Sequence, residues 1–269
     1  MPELPEVETI ARTLAPAVSG RIITSVDVRN PGTWQGALSP DSLRGRRIIG
    51  AGRRAKVLLV HLAGERALVF HLKMTGRLLI HPAGTLAGSH TRVVLDLDDG
   101  SRLFFDDTRK FGYARAVNDA ELAAWPFWRT LGPEPLEIGE EAFVALFRTR
   151  GAAIKALLLN QAVIAGIGNI YADESLFRAG IRPDRPGRSV EPNRLAALRQ
   201  RLVDVLEEAI AACGSSIRDY RTADGDAGSF QKAFKVYGRS GQTCLSCGRK
   251  LSTGKVAGRT TVYCPYCQK

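Results

Sequence analysis

The first six residues, Met1-Pro2-Glu3-Leu4-Pro5-Glu6, bring an amine and two carboxylates together. Once Met1 is removed, Pro2 carries a terminal secondary amine. α-Amino groups titrate at about 7.7–8.0, so a useful fraction is neutral near pH 7. Held beside Glu3 and Glu6, such an amine can attack an electrophilic carbon and form a covalent imine, the chemistry of Schiff-base lysines. The same stretch also reads as an ordinary helix start. Pro5 suits the first turn, Glu6 and Glu8 suit the positive end of the dipole, and Val7, Ile10, Ala11 and Leu14 repeat with the spacing of one buried face.

A second chemistry sits at the other end. Cys244-Leu245-Ser246-Cys247 and Cys264-Pro265-Tyr266-Cys267 are two C-x₂-C pairs, 16 residues apart. That spacing is read as a zinc site, and four thiolates close a tetrahedral shell, so one zinc ion is expected in a structural role. The alternative, a redox dithiol, needs only one such pair. Residues 238–269 carry Arg239, Arg249, Lys250, Lys255, Arg259 and Lys269 without an Asp or Glu, so this segment can present cations to a phosphate backbone. Cys213 is left over and reads as a small buried residue.

Between these ends lie weaker signals. Arg44, Arg46, Arg47, Arg53, Arg54 and Lys56 form a basic run, either a phosphate track or a solvated strand face. Lys56 starts a strand, where its amine can point into a cleft. Met74 precedes the turn-like Thr75-Gly76, and Phe111 lies among cations in Asp107-Thr108-Arg109-Lys110-Phe111-Gly112, a candidate wedge for a base stack or a core aromatic. Of His61, His71, His81 and His90, none has helical metal-ligand spacing; His90, near Arg92, is the candidate for a phosphate contact. Gly166-Ile167-Gly168-Asn169 precedes a helix, so Asn169 and the exposed amides can clamp a phosphate, although many helix connections need glycines.

The elements that must position these residues are legible in outline. Short β-rich runs at Ile22–Val28, Val57–Leu62, Ala67–Leu72, Leu78–Ile80, Val93–Leu97 and Leu103–Phe105 predict an antiparallel sandwich over about residues 20–117, with Asp99-Gly100 as a hairpin turn. Pro16 and Gly20 mark the end of the first helix. Helical spacing recurs over 140–148, 153–159, 170–177 and 195–210, beyond a loop-rich boundary near residue 130. The small, polar stretch 221–229 predicts a mobile loop able to cover a ligand. The reading is an α+β multidomain chain: an N-terminal β-sandwich with flanking helices over 1–130, a helical domain over 131–222, a mobile loop and linker over 223–237, and a Cys₄ zinc β-hairpin over 238–269.

The chain has 269 residues and a formal net charge of +11, with a pI near 9.8. That charge favours a polyanionic partner. No apolar run reaches about 18 residues and the start lacks a basic-then-apolar leader, so neither a membrane span nor a signal peptide is expected and the location expected is the cytoplasm.

Taken together, the opening hexapeptide, Arg53-Arg54-Ala55-Lys56, the Met74 turn, Asp107 to Gly112, Gly166 to Ala172, Val236-Tyr237-Gly238-Arg239 and the Cys₄ hairpin resemble the bacterial formamidopyrimidine-DNA glycosylase family over essentially the whole length. The sister enzyme endonuclease VIII is less similar, since its opening usually has glycine where this chain has Leu4. The resemblance implies a helix-two-turns-helix domain and a bifunctional DNA glycosylase and AP lyase that excises oxidised purines from duplex DNA as a nucleoid-associated monomer. It implies Pro2 as the nucleophile at C1′, Glu3 as acid/base and Glu6 as support. Lys56 is implied in phosphate contact and β-elimination, and Arg259 in δ-elimination. His90, Arg109, Arg150, Lys155, Asn169 and Tyr171 are implied DNA contacts. Met74, Arg109 and Phe111 would fill the gap left by the everted base, and 222–230 would cover that base. Two positions depart from the pattern: Lys73 stands where several relatives have glycine, and Arg150 where others have lysine, a change that keeps the charge but alters its geometry. Other readings are the same chemistry on oxidised pyrimidines, or a non-catalytic binder of damaged DNA.

Overall fold

Helix α1 (Leu4–Val18) starts as its sequence predicts, with Leu4, Val7, Ile10, Ala11 and Leu14 on one buried face. It runs two residues past Pro16, because a proline in the last turn forfeits one helical bond and leaves the earlier turns intact. The computed structural model describes residues 1–36, 38–217 and 220–269. They form two units, Met1–Arg129 with Ala212–Gln231, and Thr130–Ala211 with Lys232–Lys269.

In the first unit, α1 is followed by β1 (Ile23–Val28), β2 (Trp34–Gln35), β3 (Ile48–Arg54), β4 (Val57–Leu62), β5 (Arg66–His71), β6 (Gly76–His81), β7 (Thr91–Leu97), β8 (Arg102–Asp107) and β9 (Tyr113–Asn118). They make a four-stranded antiparallel sheet, β1-β7-β8-β6, and a five-stranded sheet, β2-β9-β5-β4-β3, in which only the short β2–β9 pair is parallel. Alternate residues from both sheets, among them Leu58, Val60, Leu68, Phe70, Leu78, Val93, Leu95, Leu103 and Phe105, share one core with α1. Val57, Leu59, Ala67, Val69 and Val117 point the other way. They are covered by Leu122 of α2 (Asp119–Ala124), by Phe127 and Trp128 of α3 (Pro126–Arg129), and by Trp125, which joins the two helices. Burial on both faces is why β4 reads as an apolar run interrupted only by the exposed His61, and it explains the tryptophans of the connection that follows the sheet.

Strand β3 lies within the expected basic run. Its Arg53 pairs with Glu8 at 2.7 Å, and Arg54 lies 4.8 Å over the Trp128 ring. Arg47, just before the strand, donates to the Gly20 carbonyl. Arg47, Arg53 and Arg54 thus brace their own unit.

Residues Ala212–Gln231, the end of the expected helical domain and the start of the expected loop, pack as part of the first unit. Ser215 N–H donates to Glu6, Ala223 N–H to the Thr13 hydroxyl, and Ile80 N–H to the Ala223 carbonyl. The stretch expected to be a mobile loop is thus anchored at Ala223. Thr222, Ala223, Gly228 and Phe230 are buried, and only 224–227 and Ser229 stand out. Gly228 is obligatory, since a Cβ there would lie 2.3 Å from the carbonyl oxygens of Cys213 and Gly214.

The second unit holds α4 (Glu140–Arg148), α5 (Ile154–Leu159), α6 (Asn169–Arg178) and α7 (Pro192–Ala211), then the antiparallel hairpin β10 (Ser252–Val256) and β11 (Arg259–Tyr263). Ala257 and Gly258 at the tip both have positive φ, as a two-residue hairpin turn of type I′ requires. Phe177 of α6, Val236, Leu251, Val262, Cys244 and Cys264 form its small core.

Candidate active site and nucleic-acid interface

Glu3 precedes α1 and is 3% exposed; Glu6 is 2% exposed. Two carboxylates excluded from water at a helix start draw on the exposed amides and positive dipole there. Glu6 is shared between two segments: Oε2 accepts the Glu3 N–H and Oε1 the Ser215 N–H, each at 2.8 Å. Pro2 is buried beside them. Tyr220 packs in the same region, its hydroxyl pushed up by burial and then by the Glu6 charge.

Lys56 follows Ala55, which has a left-handed φ of 54°, and is 7% exposed. His71, paired opposite Val57 in the sheet, is also buried. Its pKa is lowered to about 3, first by burial, then by the charges of Lys73 and Lys56. Lys73 N–H donates to its Nδ1 at 3.1 Å, so the neutral ring carries its proton on Nε2. No sequence signal separated His71 from the other histidines, because what matters is which lysines surround it.

Met74, Arg109 and Phe111 come together although 35 residues separate the first two. Arg109 Nη1 lies 3.1 Å from Met74 Sδ, and its guanidinium carbon 4.7 Å from the centre of the Phe111 ring. Met74 is 42% and Phe111 54% exposed, so both apolar side chains stand in water with a cation between them. Lys73, preceding this wedge, adopts φ 49°, the left-handed region that suits glycine. His90 is exposed, whereas Arg92 is committed to the carbonyls of Asp107 and Ser89.

In the second unit, Arg150 is exposed, with Nε on the Leu146 carbonyl. Asn169 opens α6, and its Nδ2 donates to the Thr260 carbonyl at 3.0 Å. Arg259, one residue before Thr260 at the hairpin tip, is exposed. Lys155, a DNA contact by the resemblance, does not reach the surface. It is 0% exposed, paired with Asp173 at 2.7 Å and donating to Thr261 Oγ1 and the Thr260 carbonyl. Burial raises Asp173 to about 6 despite that cation. Tyr171 is likewise wholly buried. Sequence reasoning missed Asp173 and Glu174. The Glu174 carboxylate, also wholly buried, accepts the consecutive amides of Lys235, Val236 and Tyr237.

Three family profiles match successive parts of the chain: the formamidopyrimidine-DNA glycosylase N-terminal domain over residues 1–114, the H2TH domain of the same enzymes over 131–221, and the zinc finger found in FPG and IleRS over 241–269. The formamidopyrimidine-DNA glycosylase of Nitratidesulfovibrio vulgaris is 47% identical, with all of both chains covered. That of Desulfitobacterium hafniense is 46% identical over the same full extent. The chain belongs to the formamidopyrimidine-DNA glycosylase family. Among solved structures, MutM (FPG) from Thermus thermophilus is 42% identical with a TM-score of 0.90, covering 99% of this chain and 98% of that one. A Lactococcus lactis FPG mutant in complex with DNA containing Fapy-dG superimposes over all of both chains, with a TM-score of 0.93 at 32% identity.

The family's zinc finger fits the residues present. The sulfur atoms of Cys244, Cys247, Cys264 and Cys267 all lie within 4.8 Å of one another, with Cys244–Cys267 at 3.9 Å and Cys247–Cys264 at 3.5 Å. Zinc–sulfur bonds of about 2.3 Å in a tetrahedron place sulfurs roughly 3.8 Å apart. The four cysteines would hold a structural zinc. No helix among the described residues is long and apolar enough to cross a membrane.

Proposed function

We propose that this chain is a bifunctional DNA glycosylase and AP lyase of base excision repair that removes 8-oxoguanine and formamidopyrimidines from duplex DNA. The observation that carries this reading is the N-terminal corner, where buried Pro2 directly precedes Glu3, whose amide is held by Glu6, both carboxylates being almost wholly withdrawn from water.

In this reading, Met1 is removed and the Pro2 nitrogen lone pair attacks C1′ of the everted nucleotide. The bond from C1′ to the damaged base breaks and the base leaves with a proton. Opening of the sugar ring then yields the imine, with Glu3 delivering the proton to the ring oxygen. Glu6 holds the backbone at Glu3. Lys56 grips phosphate and serves β-elimination, and Arg259 serves δ-elimination, so that the strand is cut on both sides of the sugar. Withdrawing a base from the stack costs a few kcal/mol, which is the work of Met74, Arg109 and Phe111. His90, Arg150 and Asn169 hold phosphates and carry no sequence information. Lys155 and Tyr171 support that grip from inside, Lys155 through Thr260 and Thr261 beside Arg259. The 222–230 segment covers the everted base. Every role is filled within one chain, in keeping with a monomer acting in the cytoplasm at the nucleoid.

The test is borohydride reduction of the imine on a duplex with 8-oxoguanine opposite cytosine. A covalent protein–DNA adduct mapped to Pro2 is expected. Absence of an adduct from protein whose mass confirms loss of Met1 overturns the reading, and trapping confined to an oxidised-pyrimidine duplex overturns the purine assignment.

A further inference from the structure

Asp107, the last residue of β8, is 1% exposed and lies at the base of the wedge. Its Oδ1 accepts from the Thr75 hydroxyl and from the Arg109 N–H at 3.2 Å; Oδ2 accepts the Gly112 N–H at 2.7 Å. Its main chain is engaged too, donating to the His90 carbonyl at 2.9 Å and accepting from Arg92 Nε at 2.8 Å. One residue thus joins the turn bearing Met74, the turn bearing Arg109 and Phe111, and the loop bearing His90.

Both turns need such a tie. Each contains a non-glycine residue in the left-handed region, Lys73 at φ 49° and Lys110 at φ 58°. Conformations of that kind persist where surrounding bonds over-determine them. At Gly112 a Cβ would stand 2.8 Å from the Phe105 ring and 3.1 Å from Asp107 Oδ2, so only glycine lets the amide come this close. On free turns, Met74 and Phe111 would sample many rotamers in water, and that freedom would be lost on entering a base stack.

Building on the proposed function, we infer that Asp107 is a positioning residue for base eversion: its buried carboxylate locks Met74 and the Arg109–Phe111 pair into one preformed wedge. It touches neither the sugar nor the base. Its removal therefore weakens the extrusion of a stacked, paired base more than it weakens cutting at a site that has no base to extrude.

Asp107→Asn tests this, since the amide nitrogen placed at Oδ2 would face the Gly112 N–H, donor against donor. Thr75→Val is a second variant that cuts the tie to the Met74 turn without putting a new polar group in the buried site. For each, excision from a duplex with 8-oxoguanine opposite cytosine is measured beside strand cutting at a preformed abasic site. The ratio of the two rates is expected to fall about tenfold, the size of effect from losing one bond to a buried charge. Discrimination between cytosine and adenine opposite the lesion should narrow with it. A merely structural role would lower both rates by one factor, and an unchanged ratio in both variants overturns the inference. An unaltered protein that processes neither substrate overturns the proposed function, and this role with it.

Discussion

His71 illustrates how a side chain's chemistry is set by neighbours distant in sequence. Its neutral form is favoured by burial and by Lys73 and Lys56, which hold its pKa at about 3. An unfolded chain takes up this proton below about 6.5, while the native chain refuses it until about 3, so the unfolded state binds more protons throughout that window. Stability must then fall as pH is lowered from about 6.5 towards 3, by up to about 1.4 kcal/mol per unit from this residue. His71→Phe removes this titrating group, and denaturant titrations at pH 7 and pH 5 should show a shallower loss in the variant than in the parent. Asp173, raised to about 6, works in the opposite sense, since its native carboxyl holds a proton that the unfolded one has released. The parent–variant comparison cancels it. Equal slopes would mean that native His71 takes up its proton over the same pH range as the unfolded chain, and would contradict the lowered pKa.

At the scale of elements, the Lys155–Asp173 pair pins β11 to α5 and α6. Asp173 also accepts the Val262 N–H, and Lys155 donates to Thr261. Lys155→Met strands Asp173 in the interior, and a loss of about 3–5 kcal/mol is expected by chemical denaturation. Adding Asp173→Leu should recover much of it, because the double variant leaves no unpaired charge. The zinc hairpin makes a second prediction. Two of the six residues of its small core are metal-ligand cysteines, so chelation should raise amide hydrogen exchange across β10 and β11. The two sheets of the first unit should keep their protection, and DNA binding should weaken. Full binding by metal-free protein would contradict the hairpin's assigned part.

For the whole molecule, the net charge of +11 becomes a statement about salt. Lys56, Arg150 and Arg259 as phosphate contacts predict a slope of log K against log salt of about −3 on duplex DNA, with Arg259→Ala reducing its magnitude by about 1. A slope near zero would remove these residues from the interface. The sequence by itself determined the proline and two carboxylates at the start of the first helix, the Cys₄ spacing, most strands and all four longer helices, because periodicity, helix-start chemistry and ligand spacing are local. It could not say that Lys155 turns inward to Asp173, that 212–231 docks on the first unit, that Arg47, Arg53 and Arg54 brace their own unit, or that one carboxylate at position 107 ties three loops together. Those outcomes depend on which distant groups burial brings within hydrogen-bond reach, and only the tertiary structure decides that.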